Sequence, residues 1–182
     1  ERLFALWLVY SAASSPQNKP DYGRYAYHHR LHRYLSPTEA AFLETPFTTI
    51  DASEKMAQAS LQALHFLSWC AGLLPQLELN QHPKKFAVST ANLFKHFPDV
   101  TQTKDAPTLH QAIKLRRKTE IMDWSDLLYR LHWAVRHATL TGKPAPGNID
   151  TVMVSEWHRA VNWMCCYDDE DNWDLVSTET SP

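Results

Sequence analysis

The sequence predicts an all-α domain: a compact bundle of about seven helices, with two long C-terminal helices packed antiparallel. Three observations carry this. Only 4 glycines stand among 182 residues, too few for the tight turns of a β-sandwich or barrel. Apolar residues recur at three- and four-residue steps, the period of a helix face. Capping residues before these stretches, and proline or glycine after them, mark starts and stops. Hydrophobic residues at 44% and charged residues at 21% are ordinary globular values. The length predicts one domain over residues 1–182, with 7 tryptophans supplying much of its buried area.

Residues 2–13 read as the first helix, closed by Ser14-Ser15-Pro16. Residues 22–34 form the second, with Tyr27, Leu31, Tyr34 and Leu35 on one stripe. Ser36-Pro37-Thr38-Glu39 is a capping box with proline at the first helical position. It opens a short helix through Phe42 and Leu43, and Glu39 reads as an exposed cap residue. Asp51-Ala52-Ser53-Glu54 signals the next start; that helix runs to about Gly72 with Leu64, Leu67 and Ala71 inward. A weaker helix covers 84–97, with Ala87, Ala91 and Phe94 at helical spacing. A polar break then leads through Pro107 to Leu109 and Ile113.

The strongest periodicity follows. Ile121, Trp124, Leu128, Leu131, Val135 and Ala138 form an unbroken stripe within 119–140, and Gly142 suits its C-terminal end. Asp150 caps a last helix to about Cys166, whose buried face is Met153, Trp157, Ala160, Val161 and Met164. A tail from Asp168 contains Trp173.

Several function classes fall away. A net charge of −2 gives no electrostatic footprint for nucleic acid. Lys114, Arg116, Arg117 and Lys118 cluster, but Glu120, Asp123 and Asp126 follow at once, as on a solvated helix end. Cys70, Cys165 and Cys166 cannot all pair and lie in apolar helical contexts, so reduced core thiols in a cytoplasmic protein are expected. No apolar run approaches the roughly 20 residues of a membrane span. Leu3 to Val9 is shaped like a signal core, yet Glu1 balances the flanking charge and no cleavage site closes it. The chain begins at Glu1 without methionine, so a longer natural N-terminus is expected.

Candidate chemistry lies on the two C-terminal helices. Opposite the inner stripe, Met122, Tyr129 and Trp133 are flanked by Asp126, Arg130 and Arg136. Aromatics more often fill cores, so a central helix is expected, with Asp126 and Arg130 paired at i, i+4. Glu156 falls at the edge of the last helix's apolar face, where a carboxylate needs a partner. Arg130 or His132 is the expected partner, with Trp133 and Trp163 shielding the bond. Such a cluster either fixes helix register or serves as an acid–base site of Glu156, His132, Arg130 and Asp126; no nucleophile motif or phosphate loop accompanies it. His28 and His32 have the spacing of a helical metal pair but lack further ligands, so no metal or other cofactor is expected.

The segment from Ile121 through Asp126-Leu127-Leu128-Tyr129-Arg130-Leu131-His132-Trp133 to Ala134 resembles the signature of a bacterial domain of unknown function, the family numbered 4272. So does Ser155-Glu156-Trp157-His158-Arg159-Ala160-Val161-Asn162-Trp163, and the ending from Asn172-Trp173-Asp174 to Thr180 is similar to its terminal motif. Weaker likeness covers 35–43 and 67–72. Where the family usually carries a tryptophan and a glutamate, this sequence has Ala59 and Gln62. The resemblance implies a fold and no activity.

Three functions remain open. The first is a non-catalytic interaction protein of accessory or immunity type, binding a partner protein through Tyr129, Trp133, Arg136, Trp163, Trp173 and Asp174. The second is an enzyme of unrecognised class using the Glu/His/Arg cluster, and the third a sensor holding a small molecule between aromatic side chains.

Overall fold

A computed structural model describes residues 1–46, 48–80, 82–100 and 109–180. Seven α-helices appear among them, and no strand: α1 (Arg2–Ser14), α2 (Lys19–His28), α3 (Pro37–Glu44), α4 (Ile50–Cys70), α5 (Pro83–Phe94), α6 (Lys118–Leu140) and α7 (Thr151–Met164). The expected all-helical bundle of about seven helices is therefore present. Pro107 lies outside the described residues.

The centre is not where periodicity put it. Every residue from Gln62 to Cys70 in α4 is buried, as is α1 from Arg2 to Ala13 apart from Tyr10. A helix buried on all sides gives no single apolar stripe, and the buried Gln62, His65 and Ser68 blur that of α4 further, so the sequence signal is weak although the burial is deepest. These two helices pack on each other, and α7 packs on α4. The long α6 lies at the margin, touching α7 and leaving its outer side open. Its inner stripe behaves as expected: Ile121, Leu128, Val135 and Ala138 are buried, with Trp124 and Leu131 half-buried. Trp124 meets Trp157 of α7 edge to face at 5.6 Å.

Other departures have local causes. The second helix stops at His28, because Arg30 takes a left-handed conformation (φ 57°) and the chain resumes as a 3-10 turn, Leu31–Tyr34. The break turns Leu31 into the core and leaves Tyr27 exposed. In α5 the inner face is Phe86, Thr90, Leu93 and the expected Phe94, whereas Ala87 and Ala91 are exposed. The register is set by His65 of α4, which stacks on Phe86 and shares a 2.9 Å hydrogen bond with Thr90. Thr49, not Asp51, caps α4 by accepting from Ala52 N–H.

The end of α4 explains the basic cluster. Gly72 has φ +75°, and a Cβ there would lie 2.3 Å from the Lys114 carbonyl oxygen. Arg116 stacks on Trp69 and donates to the carbonyls of Trp69, Leu74 and Pro75, satisfying backbone acceptors left open as α4 ends. Glu120 then caps α6 by accepting from the Arg117 backbone N–H at 3.3 Å and from its guanidinium at 3.2 Å.

Candidate functional site

The predicted site residues fall into three separate places. Asp126 and Arg130 lie on the outside of α6 and pair at 3.0 Å, both well exposed. Arg136 is exposed on the same side. Met122, Tyr129, Trp133 and Leu140 continue this surface at 44%, 42%, 39% and 82% exposure. The expectation of a central helix is thus overturned: the aromatic set faces outward. Trp133 is held flat against His137, the rings 5.2 Å apart and 5° from parallel.

The seam between α6 and α7 holds the second group. His132 and His158 are both buried, and their Nδ1 atoms stand 2.9 Å apart. Asn162, one turn on from His158, donates its Nδ2–H to the Ser177 carbonyl at 2.8 Å and faces His158 Nε2 at 3.3 Å. These contacts fix the protons of a neutral pair. His158 Nε2 accepts from Asn162, so its own proton sits on Nδ1 and is donated to His132 Nδ1. The proton of His132 then stays on Nε2. Burial and the neighbouring His132 push His158 down to about 4. Burial and the charge of Arg136 also lower His132. The seam therefore presents His132 as a neutral hydrogen-bond donor. For His132 to take up a proton at Nδ1, the order of the whole chain would have to reverse.

Glu156 does not join them. On α7 it lies about 200° around the helix from His158, so one face cannot turn both toward α6. Its carboxylate is buried and sits 3.3 Å from Arg159 on its own helix. Burial raises its pKa, and the charges of Arg159 and Arg2 partly counter this. The expected bond to Arg130 or His132 is absent, and neither Trp133 nor Trp163 shields one.

The third place joins the predicted Trp163, Trp173 and Asp174 to a pair that sequence reasoning missed, Arg2 and Glu39. Arg2 makes a two-point contact with Glu39, Nη1 to Oε2 at 2.7 Å and Nη2 to Oε1 at 2.5 Å. Glu39 also closes its capping box with Ser36, yet it is buried rather than exposed. The Arg2 guanidinium lies 4.0 Å over the ring of Trp173, which meets Trp163 edge to face at 5.9 Å. Asp174 accepts from Thr38 N–H at 2.9 Å. Burial pushes the Asp174 carboxyl up, but hydrogen bonds from Ser36 and Thr38 and the charge of Arg2 hold it below the usual range. Thus Trp163, Trp173 and Asp174 clasp the C-terminal segment onto α1 and α3, beside a cavity of about 340 Å³.

The remaining expectations resolve simply. Cys70 is buried, with its thiol pushed up to about 12 chiefly by burial, whereas Cys165 and Cys166 are exposed and not core thiols. Arg30 breaks the helix between His28 and His32, so the two do not share a helix face. Among the described residues, no helix is long and apolar enough to cross a membrane. The model of a family described as a domain of unknown function (DUF4272) matches residues 1–176. No curated protein and no solved structure matches the chain.

Proposed function

The chain belongs to the DUF4272 family, a domain of unknown function, and from that premise we propose that it is a non-catalytic protein-interaction domain whose docking surface is the outer stripe of α6. One observation carries the reading: Met122, Tyr129, Trp133 and Leu140 are all exposed along one side of the longest helix. Large aromatics left in water beside separate charges are the composition of protein-binding hot spots. The dispersal of Asp126, Arg130, His132 and Glu156 over separate pairs further favours binding over acid–base chemistry.

The partner in this reading is a protein, bound by an accessory or immunity-type bacterial domain. Three free cysteines support a reducing, cytoplasmic setting. The test compares wild type with Tyr129→Ala/Trp133→Ala. Any protein retained by the wild type is identified, purified and titrated against both. The variant is expected to bind it roughly thirtyfold or more weakly, the scale of one hot-spot side chain. Undiminished affinity would overturn the reading.

A further inference from the structure

The outer stripe of α6 reads the same chemically in both directions. Met122, Asp126, Tyr129, Trp133, Arg136 and Leu140 follow one another at steps of four, three, four, three and four residues. At about 100° per residue, all six lie within about 40° of the line joining Met122 to Leu140. Reversal about the level of Leu131 exchanges Met122 with Leu140, Asp126 with Arg136, and Tyr129 with Trp133. Apolar meets apolar, acid meets base, and aromatic meets aromatic.

A two-fold interface requires this property, since one patch must be complementary to itself. We infer that the occupant of the stripe is a second copy of this chain, the two α6 helices crossing antiparallel about a two-fold axis at the level of Leu131. The inference rests on the reading of the stripe as a docking surface and names its partner. Tyr129 of each copy then packs on Trp133 of the other at the centre, and Met122 on Leu140 at each end. The stripe runs for about 27 Å at 1.5 Å per residue.

Two further features fit. Trp133 is already oriented by His137, which reduces the ordering lost on association. Asp126 is held by Arg130 from its own helix, but a carboxylate has room for another donor, and the existing pair is solvent-exposed. No ion pair to Arg136 forms among the described residues. The opposed arrangement supplies one at each end of the stripe, whereas a parallel arrangement would set Asp126 against Asp126 and Arg136 against Arg136.

Sedimentation velocity of the full chain over a hundred-fold concentration range tests this. Wild type is expected to pass from monomer to dimer. Asp126→Lys sets lysine against Arg136 of the other copy, and Arg136→Glu sets glutamate against its Asp126. Each variant alone should dimerise roughly tenfold more weakly or worse. An equimolar mixture of the two should recover the dimer, because both cross-pairs again join opposite charges. A wild type that stays monomeric throughout, or a dimer that neither charge reversal weakens, overturns the inference. A monomeric wild type that still loses a captured protein through Tyr129→Ala/Trp133→Ala removes the second copy and keeps the docking surface. Failure of both experiments removes the surface itself.

Discussion

Arg2 and Glu39 form a buried two-point ion pair that joins the start of α1 to the start of α3, with Trp173 lying against the far face of the guanidinium. Removing one partner leaves the other charged and out of water, a loss of about 3–5 kcal/mol. Glu39→Ala should therefore lower the urea midpoint severely, whereas Asp51→Ala, which removes an exposed pair to Lys55, should cost about 1 kcal/mol or less. Equal midpoints for the two variants would contradict the burial described here.

Stability should fall in acid across a window set by histidine. His158 and His65 are each lowered from 6.5 to about 4, chiefly by burial. Between those values the unfolded chain binds protons that the folded chain refuses. The stabilisation is complete above pH 6.5 and is lost as pH falls toward about 4. His158→Gln should flatten part of that slope, His65 and His132 keeping the rest. Urea midpoints measured from neutral pH to pH 4 check this, and an unchanged slope in the variant would contradict it.

Glu156 should behave with the opposite sign. Its folded pKa is raised above 4.5, chiefly by burial, so the folded chain takes the proton first and stability falls as pH rises through that window. Glu156→Gln, which resembles the protonated side chain, should raise the melting temperature at neutral pH and not below pH 4.5. A lower melting temperature at neutral pH would show that the contact with Arg159 outweighs the cost of burial.

Some of this was legible in the residues and some was not. The inner stripe of α6, the caps at Ser36 and Asp150 and the turn at Gly142 are local signals, and the structure keeps them. Side-chain partners across the fold are not local. A capping-box glutamate looks the same whether its carboxylate meets water or Arg2, because the difference lies 37 residues away in the chain. The pairing of His132 with His158 likewise joins two helices, and Glu156 two residues before His158 is the more conspicuous titratable group in the sequence. The spacing of His158 and Asn162 on one side of α7 was the available clue. The outward turn of the α6 aromatics is not local either, since periodicity marks two apolar faces without saying which is covered.

Oxidative footprinting of the assembled protein tests the central claim most directly. Trp133 and Tyr129 are exposed in the isolated chain, as is Tyr27 of α2, away from the stripe. If the outer stripe of α6 is the docking surface, assembly with either a second copy or another protein should protect Trp133 and Tyr129 while Tyr27 keeps its reactivity. Trp133 and Tyr129 oxidised as fast in the assembly as in the isolated chain would contradict the account.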